Sequence, residues 1–495
     1  MRENNANHIQ IDLLRATDFT DWTEDEKRCG WPGVDDNSFA IRSLTLSRYR
    51  CFDSINLSFH PTLTLFSAPN GEGKTAILDG IAISLRLFID TLLKKKSSPG
   101  FKKEDIQAFV ATGGSMENYL PQQPTRLSAT ALIFGQPVYW SRELGSDQPK
   151  AKTTIKDAKD LSEAARSLLK GIQIPVSHSP DTSPTPATLP LVSYYGTGRL
   201  FSQIKQRSST QTTAKSRLMG YRDCLNPNSS YKDFLAWYAP MSSEAQAEQL
   251  TALSAGHQAI ARLNAVNDTI REVLEPTGWK GVRWDYINKE LLAFHSDGRV
   301  FPVRLLSDGV RNMLAMTADM VFRCSQLNPH LGDAVAGLTP GIALIDEIDM
   351  HLHPEWQQSV LSRLMSVFPK IQFLVSTHSP EVISTFGKEH IRVVRHGRVT
   401  CPSKQTSGVP SDKILANVMG VNPVWGELEA AKWLTRYHSL ISQGLQESDE
   451  GVGLRDRIIS HYGHDSQQIS ECNQAIRLIR IRARISSGLT RELER

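Results

Sequence analysis

Leu65-Phe66-Ser67-Ala68-Pro69-Asn70-Gly71-Glu72-Gly73-Lys74-Thr75, LFSAPNGEGKT, is the stretch on which the fold turns. It nearly matches G-x-x-x-x-G-K-[ST], a loop whose backbone N–H groups converge on phosphate oxygens between a strand and a helix. The departure comes at the start, where Ala68 replaces the first glycine and Pro69 follows. Ala68 ends the strand, so a methyl there is a small perturbation. Pro69 removes one N–H at a position that need not face phosphate. Gly71 and Gly73 stand where the chain must approach phosphate without side chains in the way. Lys74 brings positive charge to the terminal phosphates, and the Thr75 hydroxyl is placed to ligate magnesium. Asn70 and Glu72 belong to the same ATP-binding loop.

The flanks supply the context that such a loop needs. FAIRSLTLSRYRCFDSINLSF (39–59) alternates apolar and polar residues, and TLTLFSA (62–68) is a short apolar run, which together predict strands leading into the loop. KTAILDGIAISLRLFIDTLL (74–93) has helical apolar spacing. Further on, RLSATALIFGQPVYWSREL (126–144) reads as strand, and LVSYYGTGRL (191–200) as a buried strand entering a glycine-containing loop. HSPDTSPTPATLP (178–190) carries four prolines and reads as an exposed linker. Residues 229–275 look helical without a lasting heptad, a strand pair is expected near 282–304, and the tail from about 409 looks helical.

Three later stretches carry chemistry. IALIDEID (342–349) is an apolar strand ending in carboxylates. Asp346 is placed to hold magnesium, and Glu347 to orient and deprotonate an attacking water. LLSDGVR (305–311) opens a helix, setting the Ser307 hydroxyl and Gly309 N–H at a positive N-terminus. That placement makes sense as a cap on a γ-phosphate bound by another subunit. FLVSTHSP (373–380) ends a strand with His378, able to touch the same phosphate.

Composition sets the bounds. The 495 residues are 40% hydrophobic and 22% charged with net charge +4, ordinary for a globular chain with a real core. The charge is too small to imply nucleic-acid binding by itself. Segments 93–105 and 477–495 are locally basic. The six cysteines lie far apart with no C-x-x-C pair, which argues against zinc and against a disulfide framework. No run of about 18 apolar residues appears, nor a signal-peptide core, so a cytoplasmic protein is expected.

These elements in this order resemble the ABC-type ATPase heads of the SMC, RecF, RecN and OLD group. On that resemblance Ala68 to Thr75 is Walker A, Leu306 to Arg311 (with Ser307, Asp308, Gly309 and Arg311) the signature, and Asp346 and Glu347 Walker B. Asp349 then sits in the D-loop at a dimer seam, His378 is the switch histidine, and Arg50 of the first hairpin reaches the nucleotide. His351 and His353 are read as D-loop scaffold in preference to a metal site. Asp308 stands where the group commonly has glycine, so its negative charge near phosphate could slow turnover. Gln203, soon after YYGTGRL, is the Q-loop candidate.

YYGTGRL, LIDEIDMHLHP and STHSPEVI are similar, more narrowly, to the OLD-like ATPase subunits of bacterial Septu and retron defence systems. The resemblance implies an α/β fold, with a mainly parallel sheet plus an antiparallel N-terminal sheet, a helical insertion and a helical C-terminal module. The head is composed of 1–90, 191–205 and 280–408. The segment 91–190 is an insertion with a basic segment, strands and the proline-rich linker, 206–279 is the helical insertion, and 409–495 is the partner-binding module. It further implies ATP and Mg2+, a homodimer or higher oligomer, an HNH nuclease partner, and in a retron setting a reverse transcriptase with its RNA–DNA product. Nucleic acid would be in the complex and no membrane, in bacterial cytoplasm. No acid set of the Toprim kind and no HNH spacing follows His378, so nuclease chemistry would come from another chain. A RecF-like DNA repair ATPase and an ATP-dependent assembly scaffold with little turnover are the alternatives. Arg477, Arg480 and Arg484, with Arg482 beside them, form a basic helix face for partner or nucleic acid, or a solvated face.

Overall fold

Strand β1 (Phe39–Tyr49) turns back on β2 (Phe52–Ser58), with Leu46 opposite Ile55. Leu44, Leu46, Ile55 and Leu57 are buried on the apolar face that the period-two alternation creates. The computed structural model describes residues 38–95, 100–111, 118–121, 124–144, 153–154, 156–173, 186–199, 216–227, 232–251, 258–421, 426 and 428–493. Gln203 and most of the proline-rich linker lie outside the described residues, as do residues 96–99 of the first basic segment.

All five residues of β3 (Leu63–Ser67) are buried, and the phosphate-type loop leads from it into α1 (Lys74–Leu92). The short β4 (Ala108–Ala111) and β5 (Asn118–Pro121) pair with each other. β6 (Thr125–Ile133) and β7 (Gln136–Leu144) complete an antiparallel sheet in the order β2-β1-β6-β7. Helix α1 is fixed to that sheet by Trp140, whose indole N–H donates to the Ser84 carbonyl at 3.1 Å. Helix α2 (Lys159–Gln173) follows.

The second sheet collects β8 (Leu191–Tyr195) and later strands. Between them come α3 (Lys232–Thr251) and α4 (Gln258–Leu274), then a three-stranded antiparallel sheet of β9 (Trp279–Asp285), β10 (Glu290–His295) and β11 (Val300–Pro302). The sequence suggests a strand pair here; the third strand is three residues ending at Pro302, too short to show a period. Tyr238 of α3 donates to the Val282 carbonyl, and Asn267 of α4 accepts its N–H. The helical insertion is thereby docked on β9. Helix α5 (Asp308–Leu327) comes next, then β12 (Gly341–Ile345), α6 (Val360–Val367), β13 (Ile371–Thr377), β14 (Ile391–Arg395) and β15 (Arg398–Thr400).

The sheet order is β15-β14-β3-β13-β12-β8, parallel except for the edge strand β15. Every residue of β3, β8, β12 and β13 is buried, as expected of a parallel sheet covered on both faces. Because β3, β12 and β13 run in the same direction as neighbours, the loops leaving their C-terminal ends gather at one edge. Gln372 ties this sheet to the first, accepting from the Ile41 N–H and donating to the Ile41 and His60 carbonyls.

His60 lies at the opposite end of β3, with its ring 4.1 Å from that of His390. Burial, with His390 and Arg392 nearby, pushes its pKa down to about 4. The neutral ring therefore stabilises the fold fully above the ordinary value of 6.5, and that contribution is lost as pH falls toward about 4. Thermal melts across that window should drop more shallowly for His60→Asn than for the parent chain; parallel curves would count against the assignment.

The chain divides into two compact units, the second spanning Leu415–Arg495. In that unit α7 (Glu429–Ser442), α8 (Asp449–Tyr462) and α9 (Gln467–Leu493) enclose Tyr437, Ile441, Ile458, Ile469 and Cys472. Ser448 caps α8 by accepting from the Gly451 N–H. On the basic face, Arg480 pairs with Glu447 at 2.8 Å and Arg477 is exposed, while the side chains of Arg482 and Arg484 lie outside the described residues. No helix among the described residues is long and apolar enough to cross a membrane.

Candidate active site

Gly71 and Gly73 adopt φ of 84° and 94°, the left-handed region that glycine enters without a Cβ penalty. Gly73 has a second reason to be glycine. A Cβ there would stand 2.5 Å from Phe52 Cζ and 2.6 Å from Cys51 Sγ, so the tip of the first hairpin bears directly on the loop. Asn70 and Gly71 lie exposed at its apex. Glu72 accepts the His396 N–H at 2.6 Å, which fixes the β14–β15 turn beside the loop.

Lys74 is buried, with Nζ 2.7 Å from the Ala68 carbonyl and 3.3 Å from that of Pro69. The unusual Ala68-Pro69 pair thus supplies carbonyls that hold the ammonium in place. Burial lowers the Lys74 pKa, while Glu347, Asp346 and Asp349 act in the opposite direction. The Thr75 hydroxyl donates to Asp346 Oδ2 at 2.8 Å. This side-by-side hydroxyl and carboxylate fit Mg2+, which takes few protein oxygens and fills its shell with water and phosphate.

At the end of β12 the acids are held from β13. Ser376 Oγ donates to Asp346 Oδ1 and is also 2.8 Å from the Glu347 N–H. Glu347 has φ 48°, a left-handed bend that turns its carboxylate away from the strand line. His378 Nε2 stands 3.9 Å from Glu347 Oε1, both side chains partly exposed. Asp349 accepts from the Thr377 hydroxyl at 2.7 Å and from the His378 N–H at 3.2 Å. Thr75, Asp346, Glu347, Asp349 and His378 are therefore one connected cluster. Ser376 was not singled out in the sequence; its signal is the β12–β13 register, which pairs Ile345 with Val375.

Arg50 sits at the β1–β2 turn, φ 49°, with Nη1 2.6 Å from Asp79 and Nε and Nη2 on Asp105. Its guanidinium is committed to carboxylates on α1 and on the segment before β4.

The signature stretch forms the start of α5. Ser307 is the N-cap residue, yet its hydroxyl makes no cap hydrogen bond within the helix. Asp308 pairs with Arg311 one turn on, so its negative charge is matched locally and favours the positive helix end. Gly309 lies against the D-loop: a Cβ there would be 2.3 Å from the His351 carbonyl. His351, with φ 64°, supplies that carbonyl at the bend after β12.

Two family descriptions match the chain, "AAA domain" over residues 43–275 and "AAA domain, putative AbiEii toxin, Type IV TA system" over 248–384. The Retron Vc95 probable ATPase of Vibrio cholerae is 22% identical over 84% of this chain and 86% of its own length. The Retron Ec83 probable ATPase of Escherichia coli is 36% identical over 34% of this chain and 30% of that protein. Septu protein PtuA of Bacillus mycoides is 44% identical over 15% of this chain and 10% of that protein. Among solved structures, an SMC head bound to the C-winged helix domain of ScpA overlays with TM-score 0.40 at 16% identity, covering 74% of this chain and 97% of that one. At that score the overlay adds nothing to the topology described above. With the phosphate-loop motif, the AAA-domain matches and the named relatives in agreement, the chain is an ATPase, similar to the ATPases named for retron and Septu systems.

Proposed function

We propose that two copies of this chain sandwich two molecules of ATP with Mg2+. Each ATP is held by Asn70 to Thr75 and Asp346 of one copy and capped by Ser307, Gly309 and Arg311 of the other. Thr75 and Asp346 hold the metal, which draws negative charge from the phosphates when bound. Glu347 takes a proton from the attacking water, and His378 senses the γ-phosphate beside it. Arg50, braced by Asp79 and Asp105, supports the nucleotide side of the first hairpin. Asp349 lines the seam. Composite head segments carry this cycle, and the helical insertion and the C-terminal unit respond to it.

Within the defence setting, the reading is an ATPase that restrains a nuclease of HNH type supplied by another chain. In a retron locus a reverse transcriptase with its RNA–DNA product would complete the complex, in bacterial cytoplasm. What supports two-copy capping is the Ser307 hydroxyl: it stands exposed at the start of a helix, and it does not cap that helix itself. Serine at this position ordinarily caps its own first turn.

Ser307→Arg tests the sandwich. The variant should bind ATP with affinity within about twofold of the parent, while ATP-dependent self-association measured by light scattering falls by about tenfold or more. Undiminished association would overturn the reading. Asp308, which pairs with Arg311 in this copy, would bring negative charge near the partner's phosphate and slow turnover.

A further inference from the structure

Tyr194 and Tyr195 end strand β8 and have no part in the proposed cycle. Consecutive side chains on a strand point to opposite faces, and these two phenols reach opposite helices. Tyr194 Oη donates to Asp79 Oδ1 on α1 at 2.9 Å, and Tyr195 Oη donates to Asp319 Oδ2 on α5 at 2.8 Å. Between them, the Tyr195 carbonyl accepts the Asp346 N–H at 2.8 Å, and β8 runs in parallel register with β12, Tyr195 opposite Ile345.

One dipeptide therefore touches the helix that begins at Lys74, the helix that begins at Asp308, and the backbone of Asp346 between them. The α5 contact is deeply buried: Tyr195 is 4% exposed, Asp319 5% and Arg323 1%. Arg323 Nε shares Asp319 Oδ2 at 2.7 Å, and its Nη1 donates to the Gly220 and Arg222 carbonyls. Hydrogen bonds to an ionised group out of water are the strong ones. Asp319 lies about 16 Å along α5 from Asp308. At the near end of the same helix, Gly309 rests on the D-loop. The helix is thus located at two points against the hydrolytic edge, one by backbone contact and one by the Tyr195 phenol.

We propose that Tyr195 is a positioning residue that sets the register of α5 against the Asp346–Glu347 strand end. Contact between the start of α5 and the partner copy's nucleotide is thereby conveyed to this chain's own acids. Tyr194 sets α1 against the same strand through Asp79. The inference rests on the two-copy capping described above.

A buried phenol that only stabilises the fold would lower the melting temperature and leave the folded enzyme's turnover untouched. The test uses the full chain with ATP and Mg2+, at a temperature where circular dichroism shows each variant folded. Tyr195→Phe should lower kcat about tenfold with KM within about twofold. Asp319→Asn keeps an acceptor oxygen for both Tyr195 and Arg323 and should hold kcat within about threefold of the parent, whereas Asp319→Ala should match Tyr195→Phe. The Tyr195→Phe/Asp319→Ala double variant should be no slower than Asp319→Ala alone, since that single has already lost the Tyr195 contact along with the Arg323 pair.

Unchanged kcat in Tyr195→Phe, or singles whose effects multiply in the double, would overturn the proposal. If Tyr195→Phe is too unstable to assay, the Asp319→Asn and Asp319→Ala pair decides: equal kcat values overturn it. Ser307→Arg run alongside separates the two failures. Normal turnover in that variant removes the two-copy reading and this inference with it. Lost turnover there with normal turnover in Tyr195→Phe removes this inference alone.

Discussion

Glu347→Gln is expected to slow ATP turnover by about 10²–10⁴-fold while leaving ATP bound, the range that removal of a general base produces. The substitution changes little else. Glutamine keeps the volume, and the Glu347 N–H stays on Ser376 Oγ because that contact is made by backbone. The side chain is 36% exposed, and loss of its charge leaves Asp346 and Asp349 as the carboxylates acting on the buried Lys74 ammonium. Loss of the carboxylate removes the acceptor for the water's proton, and with hydrolysis halted the ATP-bound pair should accumulate in sizing runs. Phosphate release within a few-fold of the parent would refute the assignment of Glu347, and loss of ATP binding would refute the separation of binding from chemistry.

Lys74→Ala carries the second large effect, loss of nucleotide affinity by about a hundredfold or more, because a charged donor to phosphate is removed. Without nucleotide the change should be nearly neutral for stability. Lys74 is buried and its pKa is lowered by that burial, so deleting it relieves a desolvated charge even as the Ala68 and Pro69 carbonyls lose their donor. The sign is clearest in a thermal shift assay: the parent melts higher with ATP and Mg2+, by linkage to binding, and the variant shows no shift. A parent-like shift in Lys74→Ala would place the nucleotide elsewhere.

The sequence carried the phosphate-type loop, the strand-end acids and the strand-end histidine because each closes an apolar run, and apolar runs are local. What it did not carry depends on which strands become neighbours. Ser376 reaches Asp346 and Glu347 only once β13 lies beside β12. Arg50 meets Asp79 and Asp105, residues 29 and 55 positions away, through the packing of the hairpin on α1. Asp308 looked like a stray negative charge; its pairing with Arg311 follows only from a helix that starts at that residue. The Tyr194-Tyr195 pair was visible as a resemblance but not as a contact, since a strand's alternation says which faces are served and not what waits there.

The C-terminal helices close around Tyr437, Ile441, Ile458, Ile469 and Cys472, a core drawn wholly from their own residues. Inheritance can therefore treat that unit as a cassette. A substitution among those five residues would be felt first in the packing of these three helices.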